Sequence, residues 1–133
     1  MACDWSGRVS LQADAERFFA GLGAADAGAP MARFPIDLLL STPTESARLC
    51  FRGGTAAAAT EPDPLWTLEL RGDREAFDGL FSARRTLGAS LYAGLIVAPE
   101  EKAKHNLVVA LAWSIRLLQE GCSAISRAAS SSD

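Results

Sequence analysis

Between Phe34 and Arg71 the apolar side chains recur at every second position, and from Asp73 onward at every third or fourth. This switch constrains the fold more than any other feature. A period of two marks a strand with one buried face, and a period near 3.6 marks a helix. In FPIDLLL, Ile36, Leu38 and Leu40 alternate with Asp37 and Leu39. In SARLCFR, Ala47, Leu49 and Phe51 oppose Arg48, Cys50 and Arg52; in LWTLELR, Trp66, Leu68 and Leu70 oppose Thr67, Glu69 and Arg71. One greasy face and one polar face predict a half-covered antiparallel sheet. The separators STPTE, Gly53-Gly54 and EPDP are turn chemistry, and TAAAAT between two of them reads as a short further strand. On the polar face Arg48, Arg52 and Arg71 stand beside Asp37 and Glu69, which predicts solvated cross-strand pairs; an anion-reading patch is the alternative.

Helical spacing brackets this sheet. Leu11, Ala15, Phe18 and Leu22, widened by Phe19, predict a helix over 10–22 with Ser10 as its N-cap. Gly72-Asp73 supplies a turn and an N-cap, and Ala76, Phe77, Leu80 and Phe81 predict a helix over 73–83. In TLGASLYAGLIVA a helical turn through Leu91 is expected to give way to an extended Leu95–Val97. Pro99 followed by Glu100 and Glu101 is a helix start, and Gly121 a stop, so the last helix is expected over 99–120. The fold class is therefore α+β: an antiparallel sheet of three to five strands, with an N-terminal helix and C-terminal helices packed on one face. Residues 1–9 read as an extension, 10–121 as one domain and 122–133 as a disordered tail.

The 133 residues suffice for one hydrophobic core without disulfides or metals. A net charge of −3 gives no global basic field for nucleic acid. The longest apolar run, Leu107–Leu118, is broken by Ser114 and Arg116 and is shorter than the roughly 20 residues that cross a bilayer. MACDWSGRVS has neither the charged nor the apolar part of a secretory signal, so the cytoplasm is the expected compartment. The Arg-heavy, Ala-rich composition is that of a GC-rich bacterial genome. Leu107–Leu118 is apolar nearly all round, which one core-facing stripe does not explain, so a homodimer through this helix is expected.

Catalytic and metal-binding patterns are missing. Cys3, Cys50 and Cys122 are widely spaced and match no zinc or redox motif, and the single histidine, His105, excludes a multi-histidine metal site. His105 follows Glu101 by one helical turn, and reads as a surface group more readily than as a general base. Glu61 and Asp63 lie among prolines and read as a solvated turn. What the sequence does supply is bulk. Phe18, Leu49, Phe51, Trp66, Leu68, Phe77, Phe81, Tyr92 and Trp113, with Phe19 beside them, are candidates to line an apolar ligand pocket, or else simply to fill a core.

The stretch WTLELRGDREAFDGLF, followed by TLGASLYAGLIVA and a terminal helix, resembles the sterol carrier protein family. That resemblance implies an apolar tunnel between sheet and helices that holds lipids or fatty acyl chains. Two other readings stand beside it. One is a small bacterial tailoring enzyme, free of cofactors and metals, that folds a natural-product peptide or polyketide into a reactive geometry, with Arg48, Arg52 or Glu69 orienting it. The other is a small acidic dimeric protein similar to secretion chaperones.

Overall fold

The computed structural model describes residues 10–22, 27–33, 35–57 and 66–131, with backbone only at 56, 57 and 122–131. Five strands form one sheet: β1 (Asp37–Ser41), β2 (Ser46–Arg52), β3 (Thr55–Ala57), β4 (Thr67–Gly72) and β5 (Ile96–Val97), in the order β3-β2-β1-β4-β5. The helices are α1 (Leu11–Phe19), α2 (Arg74–Phe81), α3 (Leu87–Tyr92) and α4 (His105–Ser131), and a single 3-10 turn spans Ala29–Met31. The predicted α+β class holds.

The sheet is mixed, which corrects the expectation of an antiparallel one. β1 pairs antiparallel with β2, but β4 lies parallel on the other side of β1, Leu38 beside Leu68 and Leu40 beside Leu70. Alternation cannot reveal this, because both strand directions have period two. Ala57 faces Cys50, Cys50 faces Asp37, and Asp37 faces Thr67, so β3 and β4, three strand spacings or about 14 Å apart, both run the same way as β1.

The alternation places Ile36, Leu38, Leu40, Leu49, Leu68 and Leu70 on one face, all buried. α1 and α2 cover this face through ring contacts. Phe19 meets Phe51 at 5.2 Å, Phe18 meets Phe81 at 5.2 Å, and Phe18 meets Phe19 edge-on at 5.1 Å. α4 closes the layer with Leu111, Ile115 and Leu118, Leu118 lying against Gly21. Ser10 caps α1 by accepting from the Ala13 amide, as its position predicted. The Gln12 side chain bonds both the amide and the carbonyl of Arg48, satisfying the backbone of that residue in β2.

The last helix departs from the prediction at both ends. Residues 99–104 form turns, and Lys104 ties them to the sheet through the Thr67 carbonyl and Glu100. α4 then starts at His105 and runs past Gly121 to Ser131. A single glycine costs a helix only about 1 kcal/mol, and the good helix formers Ala124, Arg127, Ala128 and Ala129 lie beyond it. Buried Gln119 donates to the Leu80 and Arg85 carbonyls, closing the end of α2.

One guanidinium joins three of these elements. Arg74 pairs with Asp14 of α1, with Glu45 of the β1–β2 turn at 3.4 Å, and with Asp78 of α2 at 3.0 Å. Asp14 is wholly buried; Arg17 also meets it, at 3.3 Å, but that guanidinium is 41% exposed, so removing Arg74 would take away the carboxylate's buried partner. We predict that Arg74→Met lowers stability by about 3–5 kcal/mol, measured by urea denaturation followed by circular dichroism.

Candidate functional site

The outer side of α4 carries a groove. His105, Val109 and Trp113 stand at i, i+4 and i+8 and therefore share one helix face. Val109 is 46% and Trp113 60% exposed, unusual for side chains of this size. The facing wall is the 3-10 turn, with Ala29, Pro30 and Arg33. Together these residues border an open hollow of about 480 Å³, a volume within the range of small-molecule sites (roughly 300–1,000 Å³). His105 and Asn106 also border a second hollow of about 360 Å³, walled by Trp66, Lys102 and Lys104. Trp113 borders a third, of about 500 Å³, with Gly88, Arg116 and Leu117. The hollows thus follow one another along α4.

Two glycines set the position of the facing wall. Gly53 and Gly54, with φ of +62° and +79°, make the tight β2–β3 turn, and Gly54 lies against Gly28. A Cβ on Gly28 would stand 1.8 Å from the Gly54 carbonyl oxygen, so no larger residue fits there without moving the backbone. The 3-10 turn begins at the next residue.

A further hollow, about 570 Å³, opens at the ends of β1 and β4 and is bordered by Ser41, Pro43, Arg71, Asp73, Leu95 and Val97. Its one cation is already engaged. Arg71 grips Glu69 with two hydrogen bonds, 2.7 and 3.1 Å, so it offers a ligand little. This bond from Arg71 holds the Glu69 carboxyl below its ordinary range, against a smaller effect of burial. The pair runs along one strand and not across two. Arg52 does pair across strands, with buried Asp37 at 3.3 Å.

The residues predicted to line a pocket separate into three groups. Phe18, Leu49, Phe51, Leu68, Phe77 and Phe81 are buried in the layer between sheet and helices, with Phe19 among them. Trp66 and Trp113 border the α4 hollows, and Tyr92 is 97% exposed at the end of α3. Cys50 is buried with a free thiol; Cys3, Glu61, Asp63 and the Cys122 side chain lie outside the described residues. Among the described residues no group of three or more His, Cys, Asp and Glu could hold a metal ion. No described helix is long and apolar enough to cross a membrane.

No protein-family model matches the chain, and no curated protein sequence does. Among solved structures, it is similar to a conserved hypothetical protein of Thermus thermophilus named as a candidate sterol carrier protein. The TM-score is 0.60 over 85% of this chain and 89% of that one, at 14% identity. The fold is sterol-carrier-like. The resemblance carried by Trp66–Phe81 and Leu87–Val97 therefore holds at the level of architecture, and in a sterol-carrier-like fold those segments are β4 with α2, and α3 with β5.

Sequence reasoning missed Arg33, Lys102, Asn106 and Val109. Arg33 sits in an aperiodic stretch after Pro30 and reaches the site only because the 3-10 turn packs across α4, more than 70 residues away. In the Glu69–Arg71 pair the sign of the pH effect is fixed: a depressed carboxyl favours the folded state above its unfolded pKa, and the gain is lost as pH falls through the folded value. We predict that Arg71→Gln raises the pH at which Glu69 titrates, read by carboxyl-carbon NMR.

Proposed function

We propose that this protein binds an apolar, lipid-like small molecule, held at the groove between α4 and the 3-10 turn. The observation that carries the reading is a half-exposed tryptophan, Trp113, facing a small-molecule-sized hollow in a sterol-carrier-like fold. Trp113 and Val109 offer apolar surface that water covers at a cost, of the order of 25 cal/mol per Å². A ligand in the layer between sheet and helices would instead have to displace rings that already pack on one another. The fold likeness gives ligand binding a support that the tailoring-enzyme and secretion-chaperone readings lack.

A homodimer through Leu107–Leu118 is a second use of the same surface. Its case is narrower than the bare sequence implies. Leu107, Val108, Ala110, Leu111, Ile115 and Leu118 are buried within the chain, leaving Val109 and Trp113 as the large exposed apolar side chains of the segment. Sedimentation velocity at micromolar concentration separates the two uses: a dimer that Trp113→Asp dissociates supports assembly.

Native mass spectrometry of the purified protein tests the ligand reading. We predict a bound lipid-like species, or uptake of an added medium-chain fatty acid, reduced at least several-fold in Trp113→Ala. A protein that emerges empty and takes up no apolar probe contradicts the proposal.

A further inference from the structure

Residues 86–99, TLGASLYAGLIVAP, form the longest stretch of the chain without a charged side chain. They make up α3, the turn at Gly94 and β5, and much of the stretch faces water. Tyr92 is 97% exposed, Leu95 41% and Val97 51%. The other exposed large apolar side chains among the described residues are Val109 and Trp113. Exposed surface that is both apolar and free of charge over this length marks a place where something else packs.

The shape of this face says what. Gly88 and Tyr92 stand at i and i+4 of α3, so they share one side of the helix. Gly88 borders the hollow of about 500 Å³ whose other wall is α4, with Ala112, Trp113, Arg116 and Leu117. A Cβ added at Gly88 would meet nothing within 4 Å, so the room beside it is not taken by the chain itself. The most exposed large side chain and an unfilled hollow thus lie side by side, about 6 Å apart along α3.

A two-fold interface requires a projection and a recess on the same face, because each copy supplies both. Two α3 helices laid antiparallel about Ser90 bring Tyr92 of each opposite Gly88 of the other. Charge favours the same pairing. Each chain carries a net charge of −3, so two copies repel in general, but residues 86–99 add nothing to that repulsion. At the border Arg116 and Glu120 pair with each other at 3.1 Å, and both can stay in the wet rim of a protein interface. A bilayer would have to strip water from that pair and would leave the hollow unfilled.

We infer that a second copy of this chain docks on this face, with the two α3 helices antiparallel and Tyr92 of each copy seated in the other's hollow between α3 and α4. The hollow lies beyond the proposed ligand groove along α4, and Trp113 is the one described wall residue that the two share. The inference does not rest on the proposed function, and it differs from pairing through α4 alone.

The test is sedimentation velocity of the full chain at micromolar concentration, where the wild-type protein is expected to be a dimer. Gly88→Tyr fills the hollow, and Tyr92→Ala removes the side chain that enters it. Both positions are exposed, and circular dichroism should show both variants folded. Each should weaken the dimer at least roughly ten-fold. Mixed in equal amounts, the two variants should dimerise again, because the introduced ring then faces the shortened side chain while a native Tyr92 faces a native Gly88. A wild-type monomer would overturn the inference, and so would a dimer that both variants retain or a mixture that stays monomeric. A dimer lost in Trp113→Asp but kept in Gly88→Tyr pairs through α4 alone and contradicts it. A monomer that cosediments with phosphatidylcholine vesicles through Tyr92 assigns the face to a membrane and contradicts it as well. Uptake of an apolar probe is measured separately, so a monomer that still takes one up sinks this inference and leaves the proposed function standing.

Discussion

The Arg74 guanidinium is the point on which the rest of the structure depends. It brings together carboxylates from α1, from the β1–β2 turn and from its own helix. Glu45 serves twice, since it also accepts from the Leu11 amide at 3.0 Å and so completes the first turn of α1. Burying Asp14 costs free energy that Arg74, with Arg17 beside it, offsets. The return is positional: α1 is fixed over β2, where Gln12 bonds the Arg48 backbone and Phe19 meets Phe51. With α1 and α2 set, the rings close over the sheet.

Much of this fold was legible because alternation and helical spacing are direct consequences of burial. Every residue from Ile36 to Leu70 read as core-facing in β1 and β2, and Leu68 and Leu70 in β4, is buried in the structure. Strand direction was not legible. Parallel and antiparallel strands share the two-residue period, so the alternation of Leu38, Leu40, Leu68 and Leu70 fits either pairing of β1 with β4. The apolar girth of α4 was visible, but its cause was not. The 3-10 turn, α3 and the ends of α1 and α2 all reach this helix, and none of those contacts is local.

The site was less legible than the fold, for a related reason. Bulky apolar residues look alike in sequence whether they fill a layer or border a groove. Phe77 and Trp113 differ only in what packs against them: Phe77 is fully buried, and Trp113 is mostly open. The groove draws Arg33 from a loop and His105 from a helix start. No motif links them, and their meeting is a product of tertiary packing, fixed in part by the close approach of Gly28 to Gly54.

The central claim is that a ligand sits outside the phenylalanine layer, along α4. Methyl and indole NMR during a titration with dodecanoate addresses it directly. The account predicts that shifts concentrate at Ala29, Val109, Ala110 and the Trp113 indole, while the Leu38, Leu68 and Leu70 methyls stay unmoved. Large shifts at those sheet methyls, with Val109 and Trp113 unaffected, would place the ligand in the layer between sheet and helices and contradict it.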